Sequence, residues 1–232
     1  MADGTSVVIG ATSGVGLAVA ELLASRGDQL VVTSRDRGRA EATASALGGS
    51  AHGIAVDLAA PHGLAAQLAG IRDVQRLVIA AIERDANSVR DYDIDRALQL
   101  VTLKLVGYTE TIHCLLPELR AEASIVLLGG LAKDRAYPGG TTVGTVNGGI
   151  EALVRTLVVE LAPMRVNALH PGIVGDSPAW SSRPEALDAI RARTPTGRTI
   201  DLADTADAVL FLLENRSVNG VNLTLDGGWL LT

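Results

Sequence analysis

Short apolar runs alternate with helical patterns along the whole chain. The runs hold three to five residues each and lie at 6–9, 30–33, 54–56, 77–80, 125–128, 166–169 and 221–225. Apolar residues recur at helical spacing near 17–24, 37–47, 61–69, 94–116, 145–161 and 202–213. A strand that is apolar throughout is buried on both faces, as in a parallel sheet covered by crossover helices. The pattern predicts one doubly wound α/β domain over residues 1–232, with about seven mainly parallel strands and helices on both faces.

Three glycines join the first strand to the first helix. The strand at 6–9 leads through Gly10, Gly14 and Gly16 into the helical pattern that begins at Leu17. Glycine has no β-carbon, so such a turn lets its amides and the positive end of the helix dipole approach a diphosphate. The spacing differs from the usual G-x-G-x-x-G and also suits a plain tight connection. We expect the turn to bind a nucleotide.

Composition narrows the class of protein. The net charge of −6 argues against a nucleic-acid partner, because such proteins usually have clustered basic residues. The single cysteine, Cys114, has no partner for an internal disulfide, and the first residues lack the features of a secretion signal. No apolar stretch approaches the length that crosses a bilayer. We therefore expect a cytoplasmic protein without a membrane partner, and without a metal because its histidines show no ligand spacing.

Several segments together resemble the short-chain dehydrogenase/reductase family over nearly the whole chain. Besides the glycine turn, they are Asp57 after the third strand, residues 167–174 (N-A-L-H-P-G-I-V) and residues 226–228 (D-G-G). The resemblance implies a Rossmann-type fold, a nicotinamide dinucleotide and a small-molecule substrate, an organic carbonyl or alcohol of small or medium size. It also implies a homodimer or homotetramer, because the helix that corresponds to 145–161 often forms a subunit interface in this family.

The glycine turn and the resemblance assign cofactor contacts to several separate parts of the chain. These residues are Gly10, Thr12, Ser13, Gly14, Val15, Gly16, Ser34, Arg35, Asp57, Leu58, Ala80, Pro171, Gly172 and Val174. An acid after the second strand would bind a ribose 2′-hydroxyl and repel a 2′-phosphate, whereas this chain has Ser34 and Arg35. We therefore expect NADP(H) rather than NAD(H), unless Arg35 only borders a solvated helix entrance. Ile82 replaces the last glycine of the family's N-N-A-G and adds bulk near the expected nicotinamide ribose.

The catalytic residues of the family are absent from their expected positions. Members that reduce carbonyls use Asn, Ser, Tyr and Lys, with the Tyr as proton donor. Counted from neighbouring motifs, these positions fall on Lys104, Gly130, Val143 and Asn147 respectively. Valine cannot transfer a proton and glycine has no hydroxyl group. The family's ordinary mechanism therefore cannot operate unchanged.

The expected asparagine and lysine have traded places, which suggests a different catalytic set. In one interpretation, Lys104 gives electrostatic help beside Asn147, and Tyr137, Thr142 or ordered water supplies the proton. In the other, Lys104 extends along its helix into solvent and Asn147 bonds locally. Three functions stay open: an atypical oxidoreductase, a non-catalytic dinucleotide-binding sensor or structural protein, and a non-redox enzyme that promotes cyclisation, elimination or isomerisation by orientation.

The segment at about 176–195 is interpreted as a mobile substrate lid. Its Trp180 either stacks on a flat substrate or anchors the lid as a buried side chain. Asp176 would repel a diphosphate unless its carboxylate turned away.

Three other features have mainly structural interpretations. His170, at a strand end, is more often packed and hydrogen-bonded than catalytic. Lys133 and Tyr137 are interpreted as loop residues, since their segment is rich in charge, Gly and Pro. Two glycines inside a helix, Gly148 and Gly149, cost helix propensity and therefore suggest a close approach to that backbone.

Overall fold

Seven parallel strands form one sheet within residues 4–232, the range that the computed structural model describes. The strands are β1 (Thr5–Ile9), β2 (Gln29–Ser34), β3 (His52–Ala55), β4 (Val74–Ile79), β5 (Leu119–Leu128), β6 (Arg165–Pro171) and β7 (Asn222–Leu225). Their order is β3-β2-β1-β4-β5-β6-β7. The order reverses between β1 and β4, and open α/β sheets bind ligands beyond the carboxyl ends of the strands at such a point. The predicted parallel sheet is confirmed.

Helices cover both faces of the sheet, as predicted. They are α1 (Gly14–Ser25), α2 (Arg37–Leu47), α3 (Leu64–Leu68), α4 (Ile94–Val101), α5 (Tyr108–Leu115), α6 (Thr141–Glu160), α7 (Pro184–Arg193) and α8 (Leu202–Glu214). One apolar core lies between the sheet and α3, α5 and α6, and a second lies between the sheet and α1 and α8. Neighbouring strand residues alternate between them: Leu77 and Ile79 point to the first core and Val78 to the second. This alternation explains why the strands are apolar throughout.

The helix predicted at 94–116 is confirmed, but its middle widens into a π-helical turn. α4 ends at Val101, a wide π-helical turn covers Thr102–Gly107, and α5 begins at Tyr108. The turn packs tightly: a β-carbon on Gly107 would lie 2.3 Å from the carbonyl oxygen of Leu58. Apolar periodicity does not reveal such a local widening, which is often found at functional sites.

Several other boundaries differ from the sequence predictions. β5 begins at Leu119, before the apolar run, because Leu119 pairs with Val74 of β4 ahead of a register shift, and the ladder resumes at Ser124. α6 begins at Thr141 rather than at 145, and the segment expected as one helix at 61–69 is a short 3₁₀ turn, Pro61–Gly63, followed by α3. The earlier start of α6 moves one predicted proton source, Thr142, from the expected loop into the helix.

The edge strand β3 packs directly on α2. A β-carbon on Gly53 would lie 2.3 Å from both the carbonyl carbon and the oxygen of Ala40, so only glycine permits this contact. The start of α2 is fixed separately, because Asp36 Oδ1 accepts a 2.7 Å hydrogen bond from the amide of Arg39. The first turn of α2 is therefore held close to the carboxyl end of β2.

Residues 4–232 contain no helix with the length and apolar character needed to span a bilayer. In the same range, no three His, Cys, Asp or Glu side chains cluster as a metal site would require. Cys114 is a free thiol, and burial together with its hydrogen bond to Glu110 raises its pKa to about 11. The thiol therefore stays protonated at neutral pH.

Candidate active site

A cleft of about 740 Å³ lies beyond the carboxyl ends of the central strands. It contains residues from the ends of β1, β2, β4, β5 and β6. The residues with predicted cofactor contacts all line it: Gly10, Thr12, Ser13, Gly14, Val15, Gly16, Ser34, Arg35, Asp57, Leu58, Ala80, Pro171, Gly172 and Val174. The structure thus brings this set together, while contact with a cofactor stays a prediction.

The glycine turn leaves open space above the start of α1. A β-carbon on Gly16 would lie 2.1 Å from the carbonyl oxygen of Gly10, so Gly16 is required for packing. Gly14 has a φ of +54°, and a β-carbon there would meet no atom within 4 Å. The N-cap residue, Ser13, makes no side-chain hydrogen bond to the helix. The first amides of α1 are therefore left for a ligand, and a diphosphate fits this arrangement.

Two arginines lie where β2 ends. Arg35 and Arg39 both line the cleft, and Arg39 is a residue that the sequence predictions missed. Arg35 Nη1 is 3.7 Å from Glu83 Oε2, and its side chain is 61% exposed. The arginine is thus solvated and also borders the cleft, and an exposed ion pair of this length is weak enough for an anionic ligand to replace it.

Lys104 forms part of the floor of the cleft and is almost completely buried. Its Nζ donates a hydrogen bond of 2.9 Å to Tyr108 Oη and a short one to the carbonyl oxygen of Leu128 at the end of β5. Tyr108 Oη donates in turn to the carbonyl oxygen of Ala81, at 2.8 Å. The interpretation that Lys104 extends into solvent was therefore wrong, because the π-helical turn directs its side chain under the ends of β4 and β5.

Burial affects Lys104 and Tyr108 in opposite directions. It lowers the pKa of Lys104 to about 7, because an ammonium group loses hydration in the protein interior. It raises the pKa of Tyr108 far above its ordinary value, so the phenol stays protonated. Lys104 is consequently able to gain or lose a proton near neutral pH, whereas Tyr108 acts only as a hydrogen-bond partner.

The other predicted catalytic residues do not line the cleft. Asn147 is buried behind Gly130, where a β-carbon would lie 3.0 Å from Asn147 Nδ2. Tyr137 is half exposed in the loop before α6, as expected for a loop residue, and Thr142 is buried at the start of that helix. Of the predicted catalytic set, the structure brings only Lys104 to the cleft.

His170 supports the turn at the end of β5. Its Nδ1 accepts a 3.2 Å hydrogen bond from the amide of Gly130, and its Nε2 lies 3.0 Å from Asn222 Oδ1. The ring is fully buried, and burial is the main reason that its pKa is lowered. These contacts fit a neutral imidazole that donates from Nε2 to Asn222.

The segment interpreted as a lid has two parts. Residues 177–183 form a loop beside the cleft, and α7 follows. The carboxylate of Asp176 accepts hydrogen bonds of 3.0 and 3.2 Å from the amide of Leu202 at the start of α8. The carboxylate is therefore held at the start of α8, and Asp176 also lines a second hollow together with Thr12, Ser13 and Gly14, so its repulsion of a diphosphate stays a prediction.

Trp180 lines the cleft and is only partly buried, so it is not a buried anchor. The guanidinium carbon of Arg183 lies 5.4 Å from the centre of the indole ring. Arg183 also lines the cleft, and so does Arg84 from the loop after β4. Neither arginine was among the predicted site residues, since nothing in the local sequence indicates on which side of a loop an arginine will lie.

Known proteins resemble this chain over its whole length. A family model described as Enoyl-(Acyl carrier protein) reductase matches residues 10–230. A 3-oxoacyl-[acyl-carrier-protein] reductase from Bos taurus is 33% identical over 239 residues, which cover 99% of each chain.

Two solved structures are also similar. A candidate NAD(P) dependent gluconate 5-dehydrogenase from Beutenbergia cavernae, with NADP bound at low occupancy, has a TM-score of 0.89 and 28% identity over 100% of this chain and 98% of its own. The MalC reductase/Diels-Alderase from Malbranchea aurantiaca has a TM-score of 0.90 and 26% identity over 99% of this chain and 96% of its own. Together with the family model, these matches establish that the chain belongs to the short-chain dehydrogenase/reductase family of oxidoreductases.

Proposed function

We propose that this protein is an NADP(H)-dependent reductase of small or medium organic carbonyl compounds, with Lys104 as its proton donor. The observation that carries the proposal is the buried Lys104 amine, which is held at the floor of the cleft by Tyr108 and Leu128. A carbonyl compound whose oxygen meets this amine would lie at the ends of β4 and β5, next to the switch point between β1 and β4.

The residues around the glycine turn fit a dinucleotide. The amides at the start of α1 are uncapped by Ser13, and the space above Gly14 is open. When bound, a reduced nicotinamide supplies a hydride to the carbonyl carbon, so that one carbonyl, one reduced cofactor and one proton give an alcohol and the oxidised cofactor. Arg35 and Arg39 would bind the 2′-phosphate, and the relative from Beutenbergia cavernae with bound NADP supports this preference.

The hydrogen bonds of Lys104 explain how it would deliver the proton. An ammonium group has three N–H bonds, of which two are donated to Tyr108 and Leu128. No other acceptor within residues 4–232 takes the third, which is left for a substrate oxygen. After donation, the neutral amine retains the two N–H bonds that its protein partners need. The proton transfer therefore breaks no hydrogen bond within the protein.

The test is NADPH oxidation with a panel of aldehydes and ketones, using the wild type and two matched lysine variants. The sequence contains only Lys104 and Lys133 as lysines, and Lys133 pairs with Asp134 at 2.6 Å outside the cleft. We expect Lys104→Met to lower kcat by about 100-fold or more, as loss of a general acid does, and Lys133→Met to leave it nearly unchanged. Equal kcat values for the wild type and Lys104→Met would contradict the proposal.

A non-redox reaction is the second candidate. It is favoured by Gly130 and Val143, which lack the hydroxyl groups of the family's catalytic serine and tyrosine, and by the similarity to a protein named both reductase and Diels-Alderase. In this case the cleft would orient a substrate without consuming the cofactor. Product formation without NADPH oxidation would favour this candidate, and tight NADPH binding without any product would favour a sensing or structural role.

A homo-oligomer forms part of the same proposal. Several large apolar side chains on α4, the π-helical turn and α6 are exposed, among them Leu98, Val106 and Val159. If these side chains form one continuous patch, the patch is typical of a protein contact. Light scattering coupled to gel filtration tests it: a dimer or tetramer is expected, and a monomer at micromolar concentration would contradict it.

A further inference from the structure

We propose that the substrate carries an acidic group, a carboxylate or a phosphate, and that Arg183 and Trp180 of the lid bind this group. The inference rests on the proposed function, because it names the class of carbonyl compound that the cleft accepts.

The cleft is basic although the protein as a whole is acidic. The net charge of the chain is −6, yet the cleft is lined by five basic side chains and one carboxylate. The basic residues are Arg35, Arg39, Arg84, Lys104 and Arg183, and the carboxylate is Asp57. Asp57 Oδ1 accepts a 3.0 Å hydrogen bond from the amide of Ala59, so this carboxylate oxygen is used within the turn that follows β3. A cleft of this composition favours anionic ligands.

The arginines lie in different parts of the cleft. Arg35 follows β2, whereas Arg183 lies on the chain that follows β6. The order β2-β1-β4-β5-β6 places four strand spacings between those two strands, which is about 19 Å. In the proposal, Arg35 and Arg39 bind the 2′-phosphate, and Arg183 remains for an acidic group of the substrate. Arg183 and Lys104 line the same cleft, and in the proposal the carbonyl compound lies between them.

Arg183 is not neutralised by the protein. Within residues 4–232, no carboxylate lies within 4.0 Å of its guanidinium group, whereas Arg35 has Glu83 at 3.7 Å. Its side chain contacts the indole ring of Trp180, with the guanidinium carbon 5.4 Å from the centre of the ring. A cation over an aromatic face is held in place while its N–H groups stay available. Those groups match the two oxygens of a carboxylate or phosphate.

The lid offers a matched control. Arg191 lies on α7, is also exposed, and pairs with Asp188 at 2.8 Å. It does not line the cleft. A general effect of positive charge on the lid would appear in both Arg183→Gln and Arg191→Gln, whereas a specific subsite would be lost only in the former.

Binding is measured by titration calorimetry with protein that is first free of NADPH and then saturated with it. The probes are benzoylformate and 3-benzoylpropionate, each compared with its uncharged methyl ester, together with dihydroxyacetone phosphate compared with dihydroxyacetone. We expect the wild type to bind at least one acid about tenfold more tightly than its uncharged partner, as a charge-assisted bidentate contact predicts. The carboxylate and phosphate pairs identify which acid the site prefers.

Arg183→Gln is expected to remove the preference for the acid, and Arg191→Gln to retain it. Arg183→Lys should restore only part of it, because lysine lacks the planar fork. The inference is overturned if acids and their uncharged partners bind equally to the wild type, or if Arg183→Gln weakens NADPH rather than the acid. Binding of the acid without its reduction would leave this inference intact and count against the proposed function.

Discussion

The imidazole of His170 fills the space into which a side chain at position 129 would project. A β-carbon on Gly129 would lie 2.3 Å from His170 Nδ1 and 2.4 Å from its Cε1. The same Nδ1 accepts the amide of Gly130, so the ring also fixes the direction of the chain as it leaves β5. Glycine at position 129 and histidine at position 170 are therefore complementary parts of one turn beside the cleft.

We expect Gly129→Ala to lower the free energy of unfolding by about 1–3 kcal/mol, because the buried ring must move to accept the methyl group. Urea unfolding measures the change. Gly70→Ala is the matched control, since a β-carbon on Gly70 meets no atom within 4 Å, and it should change stability by less than about 0.5 kcal/mol. Equal stability of Gly129→Ala and the wild type would show that the ring is not fixed.

His170 should make the fold sensitive to acid. Burial lowers its pKa in the folded state, whereas the unfolded chain takes up a proton near pH 6.5. Stability is therefore expected to fall as the pH drops below about 6.5, because protonation favours the unfolded chain. His170→Gln should show a smaller loss in urea unfolding as the pH falls from about 7 through the unfolded pKa of about 6.5 towards the lowered pKa of the folded state. An identical loss in both proteins would exclude His170 as the cause.

Lys104 should make the stability of the fold depend on pH above neutrality. Its amine in the folded protein has a pKa of about 7, whereas an unfolded lysine binds its proton up to about pH 10.4. The unfolded chain therefore holds more protons between these values, and stability should rise as the pH increases from about 7 towards 10. Lys104→Met should reduce this rise in parallel urea titrations.

Direct titration of the amine offers an independent measurement. Because the chain has two lysines, NMR of protein with ¹³C-labelled lysine gives two side-chain signals, and Lys104→Met identifies one of them. We expect that signal to titrate near pH 7, and kcat for carbonyl reduction to decrease as the pH rises through the same value. A Lys104 signal that titrates near 10 would contradict both expectations.

Arg35→Ala should weaken NADPH by about 1.5–3 kcal/mol, the contribution of a hydrogen bond to a charged group, and leave NADH nearly unchanged. Arg37→Ala serves as the control, because Arg37 pairs with Glu41 at 2.9 Å and does not line the cleft. Calorimetric titration with both nucleotides measures the effect. Equal weakening of NADPH and NADH would refute the role of Arg35.

Asp176→Ala should destabilise the start of α8 by about 0.5–2 kcal/mol, because the amide of Leu202 loses its acceptor. Asp176→Asn keeps an oxygen that can accept the Leu202 amide, so it should lose less stability than Asp176→Ala. Neither variant should change the NADPH dissociation constant by more than about twofold, since the carboxylate is already bonded to the amide of Leu202. A much tighter NADPH complex in Asp176→Ala would mean that the carboxylate does repel the cofactor.

The sequence predicted the fold because the relevant signals are local. Apolar runs and helical periodicity give the elements, and the glycines around Gly14 give the turn that opens α1. The start of β5 was predicted less accurately because it depends on the pairing of Leu119 with Val74 of the neighbouring strand β4.

The site was only partly predictable because its side chains depend on contacts between distant residues. The interval from Lys104 to Leu128 does not reveal that the amine reaches that carbonyl, since the π-helical turn sets its direction. Tyr108 was missed, although its spacing of four residues from Lys104 is a usual signal for contact on a helix. The contact of His170 with Gly129 joins two strands, and no single segment contains it.

The close contact between Gly53 and Ala40 gives the outermost strand an influence on ligand recognition. Any larger residue at position 53 would force the helix away from the sheet, and Arg39 precedes Ala40 directly on that helix. The distance of this guanidinium from the cleft is thus determined by a residue that touches no ligand. If Arg39 binds the 2′-phosphate as proposed, Gly53→Ala should therefore weaken NADPH although Gly53 does not line the cleft.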